Sequence, residues 1–301
     1  MTMKRIIVFL LTNLAAVLML TFVASVVCAL LGIDLSQSLG EGGWEGLFAF
    51  SFVFGMAGSV ISLFLSKTMV KVSMRCKVIK EPAGDAERWL VSTVDDLARK
   101  AGVKMPEVAI YPGEANAFAT GAFKNHALVA VSTRIMEQMS REELRAVLAH
   151  EMSHVANGDM VTMSLTQGVV NTFVIFFSHV VATVLANAGR GEGNRRRSGY
   201  GMYYMMVQLF QMLFGVLASL VVLWYSRRRE YAADAGSARL LGTPSPMIAA
   251  LRRLDNLQPG ILPESIKAFG ITGRKKTSLF ATHPSIDDRI EALMNLPPSF
   301  L

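Results

Sequence analysis

The chain has 301 residues, of which 52% are hydrophobic and only 18% charged, against about a quarter charged in a soluble globular protein. An ordinary soluble enzyme is excluded. The net charge of +7 gathers beside apolar runs and comes with no nucleic-acid recognition motif, so anionic lipid head groups account for it and nucleic acid is not an expected partner.

Ile6 to Ile33 carries no charge, and Gly46 to Ser66 is a second uncharged run. Each reaches the ~20 residues needed to cross ~30 Å of hydrocarbon. The first is longer than the roughly 7–15 apolar residues of a cleaved signal peptide and has no convincing small-residue cleavage site, so it reads as a retained anchor. Lys4 and Arg5 precede it, while Lys67, Lys71, Arg75, Lys77 and Lys80 follow the second run. The loop between carries Asp34, Glu41 and Glu45 without a cation. By the positive-inside rule both ends of this hairpin face the cytoplasm. Cys28 and Cys76 are too few and too far apart in kind to form a disulfide framework, in keeping with a reducing compartment.

A soluble region begins at Asp85, where Trp89, Leu90, Val94, Leu97 and Ala98 recur at helical spacing up to Gly102. Val108 to Tyr111 and Ala127 to Ser132 read as strands, with Asn116 to Thr120 between them either a plain loop or an exposed strand edge. Residues 150 to 154 then read His-Glu-Met-Ser-His. Two imidazoles four apart share one helical face, about 6 Å apart along the axis, and can reach one Zn²⁺. Glu151 between them is suited to take a proton from an attacking water and return it to a leaving amine. The required helix is predicted locally: Ser140 with Glu143 forms a capping box, Leu144, Val147 and Leu148 give the apolar stripe, and Gly158 supplies a stop.

From about Met163 to Ala188 and from Met202 to Tyr225 lie two more apolar segments. They are interrupted by Gln167, Asn171, Ser178 and His179 in one and by Gln208 and Gln211 in the other, and polar residues in such helices usually face protein. If both cross, their loop with Arg190, Arg195, Arg196 and Arg197 breaks the positive-inside rule; a soluble hairpin would avoid that but leave apolar helices needing cover. Two further spans are preferred. Beyond Arg229 short helices are predicted at about Tyr231 to Leu241, Met247 to Leu257 and Ile286 to Leu293, with a basic loop at Arg274, Lys275 and Lys276.

A catalytic zinc needs a third protein ligand and keeps one position open. Glu230 is the candidate, its alternative being a solvated partner for the neighbouring arginines. Asp234, four residues on, lies on the same helical face and can accept the free ring N–H of a zinc-bound histidine.

His-Glu-Met-Ser-His at 150 to 154, Glu230 to Asp234, Asn-Ala-Phe-Ala-Thr-Gly at 116 to 121, Thr-His-Pro-Ser at 282 to 285, Arg289-Ile290 and the N-terminal Leu-Leu-Thr-Asn-Leu-Ala at 10 to 15 together resemble the HtpX group. These are integral-membrane zinc endopeptidases of bacteria related to the prenyl-protein (CAAX) metalloproteases, and the likeness covers essentially the whole chain. It implies that His150, His154 and Glu230 bind one zinc ion, that Glu151 is the general base and that Asp234 supports a ligand. It also implies quality control of damaged or misfolded membrane proteins at the inner membrane under stress. With this likeness, Asn116, Ala117, Phe118 and Ala119 are assigned to substrate binding by strand addition. His283, before Pro284, is either a structural histidine or a donor to the oxyanion of the tetrahedral intermediate. His126 and His179 receive no role.

The expected fold is an α+β membrane protein: a mostly helical, zincin-like metalloprotease domain with a small β-sheet, attached to about four transmembrane helices. Residues 1–66 are the N-terminal hairpin, 67–162 and 226–301 the two cytosolic parts of the protease domain, and 163–225 a second apolar hairpin. Membrane-protein substrates and the bilayer are the expected partners. The rival readings are a prenyl-peptide processing protease, which would need a large enclosed cavity, and a non-enzymatic membrane scaffold with a closed structural zinc.

Overall fold

The computed structural model describes residues 43–188, 199–257, 283–297 and 300. In chain order these form α1 (Gly43–Ser73), β1 (Lys77–Val78), α2 (Asp85–Ala101), β2 (Glu107–Tyr111), β3 (Ala117–Thr120), a 3-10 turn (Lys124–His126) and β4 (Leu128–Ser132). There follow α3 (Thr133–Gln138), α4 (Arg141–Asn157), α5 (Asp159–Ala188), α6 (Gly199–Leu241), α7 (Ser245–Asn256) and α8 (Ile286–Met294). The expected span at Ile6 to Ile33, the arginine-rich loop at 190–197 and the basic loop at 274–276 lie outside the described residues. The chain divides into an apolar unit, Met1–Ile61 with Met163–Val222, and a sheet-bearing unit, Ser62–Thr162 with Leu223–Leu301.

In the apolar unit no proline interrupts the described helices, Ser164 Oγ donates across to Ser59 O at 2.7 Å, and other hydroxyls are satisfied by their own helix backbone. Ser51 donates to Leu47 O (2.8 Å), Thr172 to Gly168 O (2.9 Å) and Ser178 to Val174 O (2.6 Å). No polar side chain in these turns then needs water. Small residues let backbones approach: a Cβ on Gly55 would lie 2.4 Å from Thr172 N, and one on Gly168 would lie 2.6 Å from Met56 Sδ. Val170, Val181, Phe214 and Ala218 bury the remaining contact. Among the described residues, three helices are long and apolar enough to cross a membrane: Gly43–Ser73, Asp159–Ala186 and Gly201–Leu241.

Two elements run further than their sequence pattern predicts. The second apolar run, expected over Gly46 to Ser66, continues as helix through Lys67 and Lys71 to Ser73, and the chain turns only at Arg75, in the left-handed region (φ 52°). The helix expected at Tyr231 to Leu241 is the last part of α6, a single element of 43 residues. Both extensions have the same cause: the charged residues that end the hydrophobicity, such as Arg227 to Glu230, are good helix formers, and no proline follows to stop the turn; Gly236 within α6 is tolerated because it packs against Ser153.

The sheet-bearing unit has strand order β1-β2-β4-β3. The parallel β2–β4 pair sets Val108 opposite Val129 and Ile110 opposite Val131, while β1 and β3 add antiparallel at the edges. β4 is buried along its whole length, which is why Leu-Val-Ala-Val reads as a continuous apolar run rather than an alternating one. On one face Val129 and Val131 meet Leu90, Val94 and Leu97 of α2, Val147, Leu148 and Met152 of α4, and Met247 and Leu251 of α7. On the other, Leu128 and Ala130 meet Val70, Tyr111 and Phe118.

α4 runs through the middle of this core. Its capping box is formed: Ser140 Oγ accepts from the Glu143 amide, and Glu143 Oε2 accepts from the Ser140 amide at 2.8 Å. Gly158 ends it in the left-handed conformation (φ 69°), its amide facing the His154 and Val155 carbonyls.

Candidate metal centre

Position along α4 and the close approach of α6 set the site. Gly236 lies flat against Ser153, where a Cβ would come within 2.6 Å of Oγ, and Ser237 Oγ donates to Ala146 O at 3.0 Å. This approach leaves Asp234, less than one turn earlier on α6, and Glu230, nearly two turns earlier and beyond its apolar stretch, opposite His150 and His154. All four are buried.

The two histidines aim the same nitrogen inward. His150 Nδ1 lies 2.8 Å from Asp234 Oδ1 and His154 Nδ1 lies 2.6 Å from Asp159 Oδ2, so each ring donates outward to its own carboxylate. Their Nε2 atoms then face one another at 3.1 Å, with Glu230 Oε1 3.3 Å from His154 Nε2 and Oε2 3.6 Å from His150 Nε2. Two imidazole lone pairs at that distance repel unless a cation sits between them. Three ligand atoms each 2.0–2.1 Å from a tetrahedral ion stand about 3.3 Å apart. The observed separations bracket that value, and the N, N, O donor set suits a divalent ion such as zinc. His150, His154 and Glu230 are the cluster that could hold a metal among the described residues.

Electrostatics point the same way. Burial pushes both imidazoles toward the neutral form, but the carboxylates outweigh it. His150, against Asp234 and Glu230, titrates above the usual imidazole range, and His154, against Asp159 and Glu230, is pushed up to about 10. Burial alone would raise Glu230 and Asp234, yet His283, His150 and His154 hold Glu230 well below the carboxylate range and Arg289 with His150 holds Asp234 down. The cluster therefore favours positive charge at the two inward nitrogens, whether carried by a proton or a metal ion. Glu151 is different: burial dominates and carries its carboxyl up to about 7, opposed by the two imidazoles and by the Ala119 amide, which donates to it.

Every predicted site residue is accounted for. His150, Glu151, His154, Glu230 and Asp234 converge, and His283 joins them, its Nδ1 2.8 Å from Glu230 Oε2 but without the alignment of a hydrogen bond. Of Asn116 to Ala119, Ala119 reaches the site, its amide donating to the Glu151 carboxylate. The expected exposed edge is an edge strand, β3, but it is not exposed: Asn116, Ala117, Phe118 and Ala119 are each 1% accessible or less, since α4 and the sheet enclose them. His126 lies in the exposed 3-10 turn, and His179, in the apolar unit, meets Tyr203 OH at 2.7 Å.

Three residues of the site were given no role from sequence. Asp159, the first residue of α5, holds His154. Arg289, on α8 and 1% accessible, grips Asp234 through Nε (2.8 Å) and Nη2 (2.7 Å) and lies 3.7 Å from Glu230. Arg229 Nε lies 3.3 Å from Asp159 Oδ1. Each histidine is thus backed by a carboxylate and each carboxylate by an arginine. The signal available was an acid just past the Gly158 stop, at the head of an otherwise apolar helix.

The model of Peptidase family M48 matches residues 85–296. The chain is 50% identical over 295 residues to a Protease HtpX homolog of Janthinobacterium sp. (strain Marseille), covering 98% of this chain and 100% of that one. It is 51% identical over 296 residues to the homolog of Bordetella pertussis, covering 97% and 99%. The crystal structure of S. mikatae Ste24p superimposes with a TM-score of 0.54 at 18% identity, covering 97% of this chain and 66% of that one, a likeness of fold.

Proposed function

The chain belongs to peptidase family M48 and is a membrane metalloendopeptidase, and on that premise we propose that its metal is one zinc ion held by His150, His154 and Glu230, with Glu151 as general base. The observation that carries this reading is the 3.1 Å approach of two Nε2 atoms whose Nδ1 partners are both carboxylates, with Glu230 completing a triangle of tetrahedral dimensions. When bound, zinc supplies Lewis-acid polarisation of the scissile carbonyl and acidifies water at the site.

The protein's own residues do the rest. Asp234 and Asp159 fix the tautomer and tilt of His150 and His154. Glu151, raised toward neutral pH by burial, is placed to accept the proton of the attacking water and to deliver it to the departing amine. The Ala119 amide keeps that carboxylate turned to the reacting centre. His283 is assigned a hydrogen bond to the oxyanion, for which its Nε2, with no hydrogen-bond partner among the described residues, is available. Asn116, Ala117, Phe118 and Ala119 are assigned main-chain pairing with the substrate along β3, which requires that buried edge to open.

The substrates proposed are damaged or misfolded membrane proteins, cut at the cytosolic face of the bacterial inner membrane as part of quality control under stress. The charge asymmetry about the second apolar run and the relatedness to HtpX homologs support this. Residues 67–162 and 226–301 are proposed as the two halves of the protease domain and 1–66 and 163–225 as its membrane hairpins.

The test is cleavage of an unfolded model protein by detergent-purified enzyme, with and without a chelator, beside Glu151→Gln. Cleavage is expected to need metal and to fall by at least about 10²-fold in the variant while zinc is retained. Stoichiometric zinc with no cleavage by either protein would favour a structural metal in a scaffold.

A further inference from the structure

Exposed apolar side chains gather on one part of the sheet-bearing unit. Phe64, Leu65, Met69 and Val72 line the last turns of α1, Met105 lies in the turn before β2, and Phe123 in the turn after β3. These segments form one surface: the Phe64 and Phe123 rings meet edge-on at 5.8 Å, the Lys104 amide donates to Asn125 Oδ1 at 3.2 Å, and Lys67 Nζ donates to His126 O at 3.3 Å. Phe123 is 57% exposed and Val72 75%. Such residues at the tip of a turn cost solubility and contribute nothing to this core.

Charge and length identify what covers them. Lys67, Lys71, Arg75, Lys104 and Lys124 border the patch, against one acid, Glu107, which Lys67 (2.7 Å) and Lys71 hold. An α-helix of 31 residues is about 46 Å long, against ~30 Å of hydrocarbon and 40–45 Å including head groups. Val72 stands six residues past Ser66, where the uncharged run ends, so it lies about 9 Å further along the axis. That exceeds the roughly 5–7.5 Å of one head-group layer. The apolar face of α1 therefore continues through this layer, and Phe123 and Met105 extend it sideways.

We propose that this face of the sheet-bearing unit rests in an anionic lipid surface, with Phe64 and Phe123 at the boundary of acyl chains and head groups and Lys104 and Lys124 facing lipid phosphates. Phe123 follows β3 by three residues, so the turn ties the strand beside Glu151 to the bilayer surface. The assignment uses no property of the metal cluster and stands or falls apart from it.

The test places a bimane label at a single cysteine, Phe123→Cys with Cys28→Ser and Cys76→Ser, in lipid nanodiscs holding one chain each, so that a second copy cannot supply the apolar contact. The same label at Glu114→Cys, beyond the far end of β2, is the control. Lipids brominated near the top of the acyl chain are expected to quench the label at 123 by about half or more, with less quenching in purely zwitterionic discs and little at 114. No quenching at 123, equal quenching at both positions, or quenching indifferent to lipid charge would overturn the proposal. Phe123 is exposed, so its replacement leaves the core intact.

Discussion

The two units bury polar groups by opposite means. In the apolar unit most of the described hydroxyls close on a carbonyl of their own helix, as those of Ser51, Thr172 and Ser178 do, Ser164 Oγ crosses to Ser59 O at 2.7 Å, and charge is absent from the contact. In the sheet-bearing unit Glu151, Glu230, Asp234, Asp159, Arg289 and the two histidines are buried together and bind one another across α4, α5, α6 and α8, with the Ala119 amide, Arg229 and His283 beside them. Local satisfaction makes an element that tolerates lipid but has no chemistry. Mutual satisfaction makes a site whose members cannot be removed singly without leaving a stranded charge.

That contrast sets the order of expected effects. Arg289→Met strands Asp234 in the core and is expected to cost about 3–5 kcal/mol of stability, read as a lowered unfolding midpoint in detergent; a loss below about 1 kcal/mol would mean that Asp234 is held by His150 alone. Asp159→Asn keeps an acceptor for His154 Nδ1 but removes the charge, and is expected to weaken zinc binding by about 10–100-fold in a chelator competition. An unchanged affinity would reduce Asp159 to a start signal for α5. Gly55→Leu in the apolar unit forces a side chain into the Thr172 backbone, at an expected cost of about 1–3 kcal/mol, again read by unfolding. Ser178→Ala removes only a bond the helix makes to itself and should change stability by less than about 1 kcal/mol. A larger loss would show that the Ser178 hydroxyl joins helices, as that of Ser164 does, rather than closing on its own.

Legibility in the sequence follows the same division. α4 could be placed from its cap, its stripe and its stop because all three are local, and the i, i+4 rule puts His150 beside His154 and Glu230 beside Asp234 without knowledge of the fold. The length of α6 was misjudged because hydrophobicity ends at Tyr225 while helix propensity does not. Asp159 escaped because Gly158 breaks the helical phase between it and His154, so no periodicity relates them. Arg289 lies 55 residues from Asp234 and only the docking of α8 brings them together. β3 reads as either strand edge or loop because four residues, Ala-Phe-Ala-Thr, carry no alternation when both faces are covered.

The most direct measurement is the zinc content of the purified wild type and of Glu230→Ala prepared in parallel. One zinc per chain in the wild type, lost in the variant, is the result predicted by a three-residue centre of His150, His154 and Glu230. Stoichiometric zinc that survives Glu230→Ala would contradict it.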